Sequence, residues 1–563
     1  MRLATSASME GKSSNARRRV YRLLLVIPLL AVLPCVLHYA TRISPPDLPP
    51  PTAEDVRSEG PALHVGPAYL ARRGKLWVMQ IKGKPEQLGY RHARLATPLM
   101  AEGDRRMIAL FATYFPSAVF RWAVTSLVRV RYRQLDSGLS STRRAEIFGE
   151  ASGYPDDFAD FFPTYQRLVY LHGLYDIALA FEHSPLLGCT AFAASNSATS
   201  QGATPGHTIV GRNFDFEVDP WFDEQKIVQI VEPDDRLAFV SVAWAGMTGV
   251  VTGMNAAGIW ISVNGGRAGP TRSGGVPVVF TTRAVLEEAR SLDEALQIIE
   301  RDEPMVSHIL FVADGKSGES MVVERAPDQP LGVIRHPSSM VVANHFRTAP
   351  LRDDPKNEHI RDTTSTEARQ ARMEDLVRRH YGHIDPKIAV EILRDRSGVG
   401  DAPLPLGNRN ALDALVATHS VVADLTERAI WVSEGPNTLG HYRRIDLDAR
   451  LRQGEAAALG ESAADLPPDA LLGEEAYERY RQGLRERIAA AHRADEGELR
   501  AAADLYHRAI ALRPDDHLAW RGLASVEERL GHSAEARNAW LRVLALAPES
   551  PEAMREAKTH LGQ

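Results

Sequence analysis

The sequence predicts an α+β chain: sheets carrying layered helices, an apolar helix near the N-terminus and an all-helical block at the C-terminus. Three observations predict this. From residue 189 to about residue 435, short β-branched and aromatic runs split by Gly, Asn and Asp alternate with pairs of helical segments, the pattern of sheets covered by helices. Residues 23–40, "LLLVIPLLAVLPCVLHYA", are almost wholly apolar. Beyond residue 472 the pattern is nearly pure helix and repeats at an offset of 34 residues.

The totals narrow the function classes. At 563 residues the chain exceeds one ordinary domain, and its 44% apolar content fills a sizeable core. A net charge of −6 and no long basic run past the N-terminus argue against a nucleic-acid binder, which needs clustered Lys and Arg to displace counterions. Two cysteines, Cys35 and Cys189, make no disulfide framework.

At the N-terminus, residues 1–22 are basic: Lys12, Arg17, Arg18, Arg19 and Arg22 precede the apolar run. Its 18 residues would rise about 27 Å as a helix, a little short of a roughly 30 Å hydrocarbon core. Charge on that side favours a cytoplasmic N-terminus and an exported remainder, periplasmic or extracellular. The rival is a cleaved signal peptide, but His38 and Ala40 make a poor cleavage pattern, and Pro34 spoils a lipoprotein signal. An uncleaved transmembrane anchor is expected, with Pro28 and Pro34 as kinks. Residues 41–61, with five prolines between 45 and 51, read as a semi-rigid spacer lifting the next domain off the membrane.

Residues 62–452 form the next unit. "KLWVMQIKG" alternates like a strand, and the segments 85–115 and 156–184 repeat apolar residues at helical spacing. After Cys189, "HTIVGRNFDFEV", "KIVQIVEP", "LAFVSVAWAG" and "TGVVTGMNAAGIWISVNGG" read as successive strands. In "GMNAAG", Asn255 and Gly258 suit turn positions with unusual backbone angles. Two helices follow, the second opened by Ser291 with Glu294 three residues on, a capping box. Strand pairs return in "SHILFVADGKSGESMVVERA" and "LGVIRHPSSMVVANHF", then helices within 366–395, then a hairpin, "ATHSVVADLTERAIWVSEGP". The Gly-rich "NGGRAGPTRSGG" reads as a mobile loop. Residues 453–472, rich in Ala, Gly, Pro and acid, read as a linker.

In residues 473–563 Pro514 and Pro548, Tyr506 and Trp540, Ala502 and Ala536, and Gly497 and Gly531 correspond at the 34-residue offset. "HLAWRGLASVEERLGHSAEARNAWLRVLALAP" resembles a tetratricopeptide repeat along its length. About two and a half repeats are visible, and such units need about three neighbours to bury their faces. The block is therefore expected to lean on the rest of the chain or on a protein partner.

Cys189 lies in "SPLLGCTAFA", where helical sequence gives way to strands. Gly188 before it lets the backbone bend freely. A lone buried Cys is often only a small hydrophobe, so the neighbours must decide. "GCT", then "GRNFDF", "GMNAAGIWISVN", "VVANHF" and "HSVVADLTERAIWVSEGP" follow in order. The set resembles the peptidase C45, or acyl-CoA:6-aminopenicillanic acid acyltransferase, family over roughly residues 62–450. These are N-terminal-nucleophile (Ntn) hydrolases, related to penicillin V acylases, bile salt hydrolases and acid ceramidases.

The resemblance implies a four-layer αββα sandwich, made as a precursor that cuts its own Gly188–Cys189 bond. Cys189 is then nucleophile and, through its freed α-amine, its own base. Asp215 matches the aspartate that orients that amine. Arg212 matches the arginine of the bile salt hydrolase branch, beside the thiol. Asn264 and Asn344 match the amides of the oxyanion hole. Arg369 matches a late active-site arginine, with Arg372 an equal candidate. Each has a plainer alternative: Asp215 as a strand-end residue, Arg212 as an ion-pair partner, Asn264 and Asn344 as turn residues, Arg369 and Arg372 as surface charges.

No HExxH, paired CxxC or GxxxxGK[ST] occurs. His380 and His383 lack a third ligand in the sequence pattern, so no metal or cofactor is expected. The expected activity is hydrolysis or transfer of the acyl group of an N-acyl amide or thioester through an S-acyl-Cys189 intermediate. One rival is a membrane-anchored repeat scaffold with an inert Ntn domain. Another is an uncleaved cysteine hydrolase using Arg212 and another base.

Overall fold

The computed structural model describes residues 35–158, 162–180, 187–216, 219–453, 463–546 and 551–563. Seventeen strands appear among them: β1 Val56–Glu59, β2 Ala62–Val65, β3 Ala68–Arg73, β4 Leu76–Gly83, β5 Leu187–Asn196, β6 Gly206–Phe216, β7 Ile227–Pro233, β8 Phe239–Ala243, β9 Thr252–Asn255, β10 Ile259–Gly265, β11 His308–Asp314, β12 Ser320–Arg325, β13 Gly332–His336, β14 Ser339–Val342, β15 Ala417–Asp424, β16 Ala429–Ser433 and β17 Tyr442–Asp446. They form an 11-stranded sheet, β1-β2-β3-β4-β7-β8-β9-β10-β11-β12-β13, and a six-stranded sheet, β14-β5-β6-β15-β16-β17. Only the β4–β7 pairing is parallel among those described.

Side-chain alternation stacks these sheets. Val78, Val228, Val240, Trp260 and Phe311 of the larger sheet meet Ala191, Ala193, Val210, Val421 and Ile430 of the smaller in one shared core. The other face of the larger sheet, with Met79, Ile261 and Leu310, packs on Leu88, Ile147, Leu168, Val285 and Ile299 of five helices: Pro85–Tyr114, Ser141–Gly153, Thr164–His172, Val278–Glu288 and Leu292–Arg301. The other face of the smaller sheet, with Phe192, Ile209 and Trp431, packs on Met373 and Ile392 of helices Thr366–Arg379 and Pro386–Leu393. The order is helix, sheet, sheet, helix.

Several sequence expectations are corrected. The proline-rich stretch is not a free spacer. Thr41 and Ile43 are buried, Gln166 Nε2 donates to Thr41 O at 2.7 Å, and Glu54 pairs with Arg91 at 2.6 Å. The stretch lies along the body as a strap, because its few apolar and acidic residues find partners that proline content does not reveal. β13 and β14 do not pair; the chain crosses there from the edge of one sheet to the edge of the other. The second half of the expected linker is also fastened: Asp465 pairs with Arg73 and Arg443, and Trp431 Nε1 donates to Ala464 O.

In "GMNAAG" Gly258 alone is left-handed (φ +86°). Asn255 stays in the strand, where its Oδ1 accepts from Ala257 and Ile259 and its Nδ2 donates to Leu286 O and Ala289 O. Ser291 caps its helix through Glu294 N, but the Glu294 carboxylate accepts from Arg290 N, one residue earlier than a capping box requires. The Gly-rich loop is tied down by Arg272, which pairs with Glu303 and Asp328, and by Gly269 N, which donates to Asp354.

The expected anchor at 23–40 lies mostly outside the described residues; residues 35–40 are helical. Among the described residues no single helix is long and apolar enough to cross a membrane. The C-terminal region is helical: Glu475–Asp495, Leu499–Leu512, His517–Leu530, Ser533–Ala545 and Pro551–Leu561. Tyr506 and Trp540 are both buried, and Gly497 and Gly531 share a left-handed turn (φ +81° and +83°). This region leans on the body through Leu471, Tyr477 and Tyr480, which pack with Leu415 and Leu439.

Candidate active site

β5 and β6 pair so that Gly188 faces Asp215 and Cys189 faces Phe214. Successive side chains leave opposite faces. Cys189 and Phe214 project inward, toward the larger sheet and its helices. Thr190 and Asp215 project toward the helix Thr366–Arg379. The described chain runs unbroken through Gly188 and Cys189, so the Cys189 nitrogen is a peptide N–H. It donates to Asn344 Oδ1 at 2.7 Å.

Arg369 crosses from its helix to the same point. Its Nη1 donates to Cys189 O at 2.7 Å and Thr190 Oγ1 at 2.6 Å, and its Nη2 to Asn344 Oδ1 at 2.9 Å. Arg372, one helical turn on, instead pairs with Asp395 and Asp401, away from Cys189. The two candidates are thus separated by geometry. A Cβ placed on Gly188 would sit 3.5 Å from an Asp215 carboxylate oxygen and 3.7 Å from Arg369 Nη2. Asp215 therefore stands beside the Gly188–Cys189 linkage, on the face opposite the thiol.

On the thiol's face Arg212 is fully buried between the sheets. It donates to Val251 O, Thr252 Oγ1 and Val263 O of the larger sheet. Its guanidinium carbon lies 4.9 Å from the Phe214 ring centroid. Burial pushes the Cys189 thiol above its ordinary range; the positive charge and hydrogen bonding of Arg212 oppose this, and Asp215 adds to it. The thiol of the uncut chain is held neutral, with a cation beside it ready to favour the thiolate once burial is relieved.

Asn264 and Asn344 form a reciprocal clamp between the two sheets. Asn264 Nδ2 donates to Ala343 O at 2.9 Å, and Asn344 Nδ2 donates to Gly265 O at 2.9 Å. Asn264 Oδ1 is buried without a hydrogen-bond partner among the described residues. These amides face one another near the head of β5, rather than serving as turn residues.

Three further groups, to which the sequence assigns no role, complete the site. Tyr175, in helix Leu174–Leu179, carries a buried hydroxyl with no partner among the described residues. Burial raises its phenol well above the ordinary range; the Cys189 thiol adds to this and Arg212 opposes it. His419 stacks on Phe214 at 4.8 Å and shares a 2.8 Å hydrogen bond with Thr252 Oγ1. Burial and then Arg212 hold His419 well below its ordinary pKa, so it is neutral. Phe214, Trp244, Phe222 and Phe216 continue as an aromatic wall. Phe214 and Phe216 fall within "GRNFDF" and His419 opens "HSVVADLTERAIWVSEGP", but the motifs assign them no role; with Tyr175, Phe222 and Trp244 they meet only through the fold. A cavity of about 330 Å³ is lined by Leu179, Ala180, Arg267, Thr271, Val306 and His359, among others.

Asp176, next to Tyr175, accepts from Val278 N at the start of the helix Val278–Glu288. Burial raises its carboxyl from 3.8 to about 7, against the opposing pull of Val278 N–H. The folded carboxyl then holds its proton more tightly than the unfolded one, so native stability falls as pH rises from about 4 to about 7. The full swing is up to about 4 kcal/mol. Denaturant titrations across that window should show this decline, and Asp176→Asn should flatten it.

Comparison with known proteins agrees with the motifs. A family model described as "Acyl-coenzyme A:6-aminopenicillanic acid acyl-transferase" matches residues 203–437. Arg212, Asp215, Asn264, Asn344 and Arg369 fall inside that span; Cys189 precedes it. An uncharacterised protein of Archaeoglobus fulgidus is 25% identical over 266 residues, 45% of this chain and 43% of its own. An acid ceramidase of Macaca fascicularis is 27% identical over 153 residues, 23% of this chain and 38% of its own. An N-acylethanolamine-hydrolyzing acid amidase of Caenorhabditis elegans is 26% identical over 243 residues, 40% of this chain and 62% of its own. The chain thus spans less than two thirds of each of these proteins.

Proposed function

We propose that this chain is a self-activating Ntn amidohydrolase or acyltransferase that acts on N-acyl amides through an S-acyl-Cys189 intermediate. The observation that carries this reading is the convergence on one peptide unit. Asn344 and Arg369 hold Cys189 by its nitrogen and its carbonyl, Arg212 lies beside the thiol, and Asp215 lies beside Gly188. Such a set is more than a structural thiol needs.

In the proposed sequence the Cys189 sulfur attacks the Gly188 carbonyl, and the peptide nitrogen takes up the thiol's proton. The Gly188–Cys189 amide becomes a thioester, and water then releases residues 1–188 as a carboxylate. The freed α-amine, with pKa about 7.7–8, lies within about one unit of a thiol near 8.5. Proton transfer between them costs on the order of 1 kcal/mol, so no histidine base is required. Asp215 orients the amine. A substrate carbonyl then meets the thiolate, with the amides of Asn264 and Asn344 as donors to its oxyanion. The departing amine takes the proton, and water clears the S-acyl group.

The names of the two characterised relatives point to N-acyl amides as substrates. The cavity lined by Leu179, Ala180 and Val306 offers apolar surface for an acyl chain. We read the C-terminal helices as tetratricopeptide-like repeats that engage a protein partner, and the N-terminal segment as an anchor placing the remainder outside the cytoplasm. N-terminal sequencing of purified protein tests the central claim: a chain beginning Cys-Thr-Ala is expected, together with turnover in a panel of short- and long-chain N-acyl amides. An uncut chain that turns over none of them leaves the repeat scaffold as the reading.

A further inference from the structure

One hairpin stands out from the body. The helix Pro85–Tyr114 turns sharply into Ala118–Arg131, and the second helix buries none of its side chains. Val119, Phe120, Trp122, Leu127 and Val130 are exposed on it, and Ile108 and Tyr114 on its partner. Val119, Ala123, Leu127 and Val130 follow one another at helical spacing, a single apolar stripe facing away from the protein. Phe111, Phe115 and Phe120 cluster at the tip, with centroids 5.0 and 5.6 Å apart.

Charge is arranged around this stripe. Between residues 107 and 128 the only charged side chain is Arg121, and it is turned back onto the carbonyls of Phe115 and Pro116 at 2.8 and 2.7 Å. Arg129, Arg131 and Arg133 flank the apolar stretch on one side, and Arg105 and Arg106, which pair with Glu102, on the other; no Asp, Glu or Lys occurs from 105 to 135. An apolar stripe with Trp and Phe, rimmed by arginines, is the composition of a helix that lies in the headgroup region of an anionic bilayer.

The chain's own path agrees. Arg129 Nη2 donates to His38 O at 3.3 Å, so the end of the apolar segment 23–40 sits against this hairpin. The proline-rich strap then runs back over the body instead of holding it at a distance. Arg131 Nη2 bonds Thr271 Oγ1 at 3.2 Å, fastening the hairpin to the rim of the 330 Å³ cavity.

We propose that the hairpin of residues 105–133 is an interfacial membrane-docking surface whose occupant is the headgroup and upper acyl region of an anionic bilayer. It does not depend on the enzymatic reading above. Hydrogen exchange on the full chain tests it, with and without vesicles of three parts phosphatidylcholine to one part phosphatidylglycerol. Peptides covering 107–131 should exchange at least tenfold more slowly with vesicles. The exposed double variant Phe120→Glu/Leu127→Glu should lose that protection while keeping the wild-type melting temperature. Equal exchange with and without vesicles overturns the proposal. So does protection already present without lipid: if independent of protein concentration, the chain's own N-terminal segment covers the face, and if it grows with concentration, a second copy does.

Discussion

Cys189→Ala is expected to give a chain that stays intact and turns over amides about 10⁴-fold or more slowly, since removing a nucleophile typically costs that much or more. The substitution deletes one sulfur from a buried position and leaves every hydrogen bond to the Cys189 backbone in place. The variant should therefore fold, and intact mass with circular dichroism would separate lost chemistry from lost structure. Cys189→Ser is the finer probe. A hydroxyl can still attack the Gly188 carbonyl, but with a far higher pKa, so cutting should slow strongly. Undiminished turnover by Cys189→Ser, with no chain ever starting at residue 189, would sink the proposed mechanism.

The second large effect belongs to Asn344. Its Oδ1 accepts from Cys189 N and Arg369 Nη2, while its Nδ2 donates across to Gly265 O. Asn344→Leu keeps the volume and removes all three bonds. Turnover is expected to fall by about 10²–10³, the usual result of losing one oxyanion donor. Stability should fall by about 2–4 kcal/mol, because a buried carbonyl, an N–H and a guanidinium lose a partner together. Rates of self-cleavage against melting temperature separate the two roles. A variant destabilised but cut at the wild-type rate would make Asn344 structural only.

How much of this could be read beforehand follows from which forces leave marks in sequence. Strands β6, β7 and β10 and the β15–β16 hairpin announce themselves through β-branched runs and turn residues, and most of the site travels within those motifs. The choice between Arg369 and Arg372 did not. Both lie on the buried side of one helix, and periodicity gives a face but not which of two neighbours reaches a thiol's backbone. The crossing between β13 and β14 was equally hidden, because a tight turn between two short strands looks like a hairpin whether or not they pair. Proline content told of stiffness in residues 41–61 but not of Ile43 finding a hydrophobic seat or Glu54 finding Arg91. Tyr175 belongs to no motif, and His419 opens the last motif without any role being marked for it; they are neighbours of Cys189 only because the layers bring them together.

The exchange of bonds between Asn264 and Asn344 has a mechanical consequence. Each amide is bolted to the opposite sheet, so the aim of the pair is set by the gap separating the two sheets. That gap is filled by Trp260, Phe311 and small alanines on β5. Wedging a larger side chain in place of Ala191 or Ala193 would splay the two amides apart. Such a protein would misalign its chemistry while still melting as one body, and the separation of the layers would act as the instrument's focus.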